Sequence, residues 1–321
     1  MRERGRIVIF HGCWLAQSHK NQADREENNM KIVVDSGVDL CMTPEQIAEL
    51  GIYQVPLSVT FKGKTYLEGR DVTREQFYSM LSESNDFPVT SQPSPGLIAE
   101  TYKAIAATDP DILSVHMSSG LSGTFNAAQL AARLVPQACI TYFDTKTLSV
   151  ASGWQAIAAA RAIKLGQSKE QILVLMKRIS DAADSIFTLK ELRYLVHGGR
   201  ISHIKGLLAS MLNIKPMIGV EKINGKYVQM GQARDFKQAI DGLTKVIARQ
   251  YKQGTALRTQ VVHGQNPEGA DMLQKALEKV FTCKWLPTCP ISLVLGAHTG
   301  PSVVGIAYAP EAIMADTPQV S

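Results

Sequence analysis

No part of this 321-residue chain approaches the ~18 consecutive apolar residues that a membrane-spanning helix needs, so no such helix is expected. Aromatic residues make up only 7%, and the 34 basic and 29 acidic side chains are interleaved with no run of one sign. The net charge of +5 therefore carries no nucleic-acid footprint. The five cysteines, Cys13, Cys41, Cys139, Cys283 and Cys289, are odd in number, and no two have the spacing of a zinc knuckle or a redox pair. That pattern predicts a reducing, cytoplasmic setting. Histidines and carboxylates never recur at metal-ligand spacing, so no metal is expected. There is no phosphate loop with its lysine and no Gly-x-Gly-x-x-Gly, which disfavours a nucleotide cofactor. A Gly-x-Ser-x-Gly elbow is missing too, since Gly120-Leu121-Ser122-Gly123 departs from it by one residue.

What the chain has is 45% hydrophobic residues and enough length for two ordinary domains, each with a core. Residues 1–29 combine arginines, a broken apolar stretch and a polar tail, and are expected to be an extension, disordered or non-native, ahead of a globular protein starting near Met30. From there short β-branched runs alternate with amphipathic stretches. "KIVVDSG" reads as a buried parallel strand opening into a loop, and "TPEQIAELG" as a capped helix with proline at its first position. Strand, polar loop and helix recur to about residue 185, which predicts a doubly wound, mainly parallel sheet over 30–185. Residues 186–321, with the hairpin signal Asn224-Gly225 and the strand "ISLVLGAHTGPSVVGIAY", predict a second, smaller α/β domain with a mixed sheet. With no long linker between them, the cleft between the domains is the natural ligand site.

Two uncharged, hydroxyl-rich loops stand out, "TSQPSPG" at 90–96 and "HMSSGLSGT" at 116–124. Their hydroxyls and the backbone N–H groups at a following helix suit a small anion such as a carboxylate or one phosphate. The ordinary alternative for each serine or threonine is a helix cap or a turn. His298, in "GAHTGPSVVG", reads as a loop histidine able to hydrogen-bond the same anion. Arg200 follows two glycines in "HGGRIS"; its guanidinium can take a carboxylate or phosphate, or it is a surface arginine after a helix stop.

The segments "VVDSGVDL", "VPLSVTFKGKTY", "TSQPSPG", "HMSSGLSGTFNAA", "YFDTKTLSVASG", "LRYLVHGGRIS", "LNIKPMI" and "GAHTGPSVVG" occur in an order that resembles the DegV family. Gly37 and Val38 stand where that family often has threonine and alanine. The resemblance implies a two-domain α/β protein that is not itself an enzyme and has no cofactor. It would hold one long-chain fatty acid such as palmitate, with the carboxylate at the hydroxyl loops and the acyl chain buried toward the second domain. It also implies a bacterial fatty acid kinase subunit, whose separate ATP-binding partner makes an acyl phosphate for phospholipid metabolism, with transient membrane contact. On this resemblance Thr90, Ser118 and Ser119 bond the carboxylate, with Ser91 competing with Thr90 and the choice between Ser118 and Ser119 open. His298 contacts the same head group, and Arg200 engages the kinase or the phosphoryl group. The alternative is a self-sufficient phosphotransferase or esterase with Ser118 or Ser119 as nucleophile and His298 as base.

Overall fold

The structure is a computed structural model that describes residues 29–201, 214–315 and 317–318. The expectation for residues 1–29 lies outside the described residues, Asn29 excepted, as does Ser202 of "HGGRIS".

A four-stranded, wholly parallel sheet forms the first unit. It contains β1 (Lys31–Asp35), β2 (Ile52–Val55), β6 (Asp111–His116) and β7 (Cys139–Asp144) in the order β2-β1-β6-β7. Both faces of β1 and β6 are covered, so their near-continuous apolar runs are buried as a parallel strand requires. The helix Pro44–Glu49 starts where the sequence says it should. Thr43 caps the Gln46 N–H, the Gln46 side chain returns the bond, and Gly51 follows with φ 66°.

A small antiparallel sheet, ordered β4-β3-β5, stands beside it: β3 (Ser58–Phe61), β4 (Lys64–Leu67) and β5 (Val89–Ser91). Thr90 and Ser91 therefore lie on a short strand, not in a loop at the end of a parallel strand. Pairing with β3 was hidden because β5 is three residues long and carries no apolar alternation.

The second sheet is mixed. It contains β8 (Asp184–Thr188), β9 (Lys215–Val220), β10 (Tyr227–Ala233), β11 (Ala256–His263), β12 (Thr282–Trp285), β13 (Cys289–Pro290) and β14 (Val304–Pro310). Its order is β10-β9-β8-β14-β11-β12, with β13 also on β11; β12 and β13 are parallel to β11 and the other pairings are antiparallel. Two α/β units are thus present. They share one core, since the largest apolar cluster runs from Ile32 in β1 to Ala307 in β14. The helix Ser149–Lys164 lies within that core, nearly all of its residues buried, and its Trp154 indole donates to Gln260 Oε1 in β11 at 2.7 Å.

The segment expected as one strand from Ile291 to Tyr308 is instead a short helix, Leu293–Thr299, followed by β14. Its valine and leucines are apolar on all sides because the helix is wholly buried, which erases the period that distinguishes helix from strand. Gly300, with φ 74°, ends it against the ring of Tyr194.

Candidate functional site

Where the small sheet, the loop after β6 and the helix Leu293–Thr299 meet, a pocket opens, about 440 Å³ including its mouth. Thr90, Gln92, Ser122, Gly123, Arg200 and His298 give it a polar lining, with Leu57, Met117 and Val294 behind them. A second space of about 420 Å³, again including its mouth, adjoins it, walled by Leu148, Val150, Ile186, Phe187, Val262, Ile291, Val303 and Ile306. Its polar contribution is small, from Ser149, Ser185 and Thr299. Tyr227 and Leu295 line both spaces, so a chamber of mixed polar and apolar lining adjoins an almost wholly apolar one.

His298 is buried, 8% exposed, and its Nε2 lies 2.8 Å from the Thr90 hydroxyl. Burial pushes the imidazole down to about 3, with the positive charges of Arg200 and His197 adding to the effect, so the ring is neutral. Its Nδ1 has no hydrogen-bond partner among the described residues. The backbone of Gly198 crosses over the ring so closely that a Cβ there would overlap Nδ1. Arg200 turns its own Nη1 back to the Gly198 carbonyl at 2.7 Å and is part of the pocket lining.

The loop after β6 is held from behind by a buried chain of polar groups. Asp35 accepts from Gly37 N–H at 2.8 Å and Met117 N–H at 3.0 Å, and its third contact is His116 Nδ1 at 3.0 Å. His116 Nε2 meets Ser114 Oγ at 2.6 Å, and that hydroxyl meets Tyr102 OH at 2.6 Å. Every partner is satisfied, which fixes where Met117 and the residues after it enter the pocket.

Of the residues singled out from the sequence, the structure brings Thr90, His298 and Arg200 together around this pocket. Ser91, Ser118 and Ser119 do not line it. Ser91 is exposed because neighbours on a strand face opposite sides. Ser118 is fully buried, donating to the Gly225 carbonyl at 2.8 Å and accepting from Gly120 N–H at 3.1 Å. Its hydroxyl docks the Asn224-Gly225 hairpin turn onto the first unit. Ser119 is exposed and turned to the Asp144 carboxylate, with Lys146 Nζ 3.3 Å away. Gln92 and Tyr227 were missed: Gln92 sat in the quoted "TSQPSPG" without being chosen, and Tyr227 had no signal in the sequence. Ser122, one hydroxyl among several in its loop, lines the pocket and pairs with Thr124 Oγ1 at 2.8 Å.

Beneath the helix Leu293–Thr299 sits a buried charge cluster. Arg74 bonds Asp39 at 2.9 Å and Glu68 at 2.9 Å and donates to the Pro290 carbonyl; Ser149 donates to Asp39 at 2.6 Å. Burial pushes Glu68 up to about 7 against the pull of Arg74. Next to this cluster Cys41 and Cys289 form a disulfide with a Cα–Cα distance of 6.1 Å. The cysteines are thus not all scattered in space, although 248 residues separate these two in sequence. No group of acidic, histidine or cysteine residues suited to a metal occurs among the described residues, and none of their helices is long and apolar enough to cross a membrane.

A family model described as "Uncharacterised protein, DegV family" matches residues 29–311. A DegV domain-containing protein of Deinococcus radiodurans is 35% identical over 281 residues, 88% of this chain and 96% of that one. Two solved structures align with a TM-score of 0.77 at 28% identity, each over 88% of this chain and 99% of the other. One is a DegV family protein from Thermus thermophilus described by its fatty acid binding, and the other is DegV of Bacillus subtilis, described as a fatty acid binding protein. The motif order, the two α/β units and a match over residues 29–311 agree: the chain belongs to the DegV family.

Proposed function

We propose that this protein binds one long-chain fatty acid, with its carboxylate against Thr90 and His298 and its acyl chain running past Tyr227 and Leu295 into the apolar cavity. The adjoining polar and apolar chambers are the observation that carries this reading. Burying a palmitate-sized tail at about 0.8 kcal/mol per methylene gives on the order of 10 kcal/mol gross, from which association costs are subtracted. The head group then needs satisfied hydrogen bonds more than strong attraction. In the tautomer that serves an acid, His298 Nε2–H donates to Thr90 Oγ1, and the threonine O–H is free to donate to the carboxylate. Ser122 and Gln92 offer further donors in the same pocket, and Ser118 and Ser119 shape the loop that carries Ser122. Fatty acid binding by the two solved relatives supports the ligand class.

The carboxylate lies at the open end of the channel, where a separate ATP-binding kinase subunit would convert it to an acyl phosphate for phospholipid synthesis. The lack of a phosphate loop in this sequence fits an ATP site on another chain. In this reading Arg200, which lines the same pocket, meets the transferred phosphoryl group. ATP dependence puts the reaction in the cytoplasm, and loading from a bilayer asks only for transient membrane contact. The esterase alternative is poorly served: Ser118 is committed to Gly225, Ser119 to Asp144, and His298 to Thr90. Titration of delipidated protein with a fluorescent long-chain fatty acid, competed by palmitate, tests the proposal. Saturable one-site binding supports it, and no displaceable signal contradicts it.

A further inference from the structure

Cys289 sits at the start of the segment that carries the pocket wall. Four residues later begins the helix Leu293–Thr299, which bears Val294, Leu295 and His298. Cys41 belongs to the loop after β1, two residues beyond Asp39. The disulfide therefore ties the first unit to the pocket helix, beside the Arg74 bond to Pro290 and the Tyr78 hydroxyl bond to the Ile291 carbonyl at 3.3 Å. Those contacts are hydrogen bonds that local opening can break; the disulfide is not. Cys289 is buried but Cys41 is partly exposed, so a small thiol can reach one sulfur. The Cα–Cα distance of 6.1 Å is one that a disulfide accepts without moving the backbone.

We propose that Cys41 and Cys289 are a reversible thiol–disulfide site that locks the 289–299 segment onto the first unit and slows exchange of the ligand. The oxidant is a low-molecular-weight disulfide, RSSR. The Cys41 thiolate attacks one of its sulfurs, forming a mixed disulfide and releasing RS⁻; the Cys289 thiolate then attacks the Cys41 sulfur and releases the second RS⁻. Two protein thiols lose two electrons and two protons, and RSSR becomes two RSH. A low-molecular-weight thiol reverses both steps.

The lock itself does not depend on the ligand, whereas slowed exchange rests on the fatty-acid reading above, and the experiment separates them. Full-length protein carrying Cys13→Ser, Cys139→Ser and Cys283→Ser is equilibrated with glutathione disulfide or with dithiothreitol, and the unsubstituted chain is run in parallel. Peptide mapping should find the Cys41–Cys289 link only after oxidation. Hydrogen exchange in residues 289–299 and release of a preloaded fluorescent fatty acid should each be about tenfold slower when oxidised. Adding Cys41→Ser should remove the redox dependence of both. Absence of the linked peptide, or unchanged exchange in 289–299, overturns the lock. Slowed exchange with equal release rates overturns its control of the ligand. Slowed exchange in a protein that binds no fatty acid in either state keeps the lock and overturns the ligand reading.

Discussion

The Thr90 hydroxyl and His298 Nε2 lie 2.8 Å apart although 208 residues separate them in the chain. One comes from the small sheet of the first unit and the other from the helix between β13 and β14 of the mixed sheet. Their meeting places a neutral pair of polar groups in a pocket that adjoins an almost wholly apolar one. Neither group is charged at neutral pH, so the pair itself adds no charge-desolvation cost to a pocket that Arg200 also lines.

Thr90→Val keeps the shape of the side chain and removes the hydroxyl. Fatty-acid affinity should fall about tenfold or more, the equivalent of one lost hydrogen bond to a charged group. A fluorescent fatty-acid titration checks this, with thermal melting as the control for the fold.

His298 predicts an acid-side loss of stability. Its folded value is about 3, well below the ordinary 6.5, because burial opposes the charged ring. The unfolded chain takes up a proton near 6.5 that the native protein refuses, so the contribution is full above that pH and is lost as pH falls toward 3. Urea unfolding at pH 7.5 and pH 5 should show a smaller decrease in His298→Asn than in the unsubstituted protein.

Leu295 lines both chambers and is buried. If the acyl chain runs past Leu295 as proposed, Leu295→Trp should obstruct it. Long-chain acids should lose at least about tenfold in affinity while short-chain acids, held only at the head-group end, change little. Competition with acids of graded length reads this directly.

Arg200 contacts the Gly198 carbonyl and the head-group pocket but is not bonded to Thr90. Arg200→Ala should leave fatty-acid affinity within about threefold yet lower acyl phosphate formation with the ATP-binding partner by about tenfold or more. Coupled kinase assays at saturating fatty acid check it.

Local chemistry made much of the fold legible. Thr43, Pro44 and Gln46 announce a helix start, the β-branched run Ile32–Val34 a buried parallel strand, and Asn224-Gly225 a hairpin, and each stands where those residues place it. What failed is non-local. The pairing of β5 with β3 depends on Val59 and Thr90 meeting across the chain, and the helix around His298 lost its period because all its faces are buried. The hydroxyl loops were visible as a group, but which hydroxyls face the cavity was not. Ser118 is consumed by Gly225, 107 residues away, and no spacing rule reaches that far. The pairing of Cys41 with Cys289 was hidden for the same reason.

The most direct measurement is mass spectrometry of lipid extracted from the purified, undenatured protein, quantified against chain concentration. The account predicts close to one fatty acid per chain, with an acyl length of about 14 to 18 carbons, long enough to gain on the order of 10 kcal/mol from burial. A protein that carries no fatty acid, and takes up none when supplied with palmitate, would contradict it.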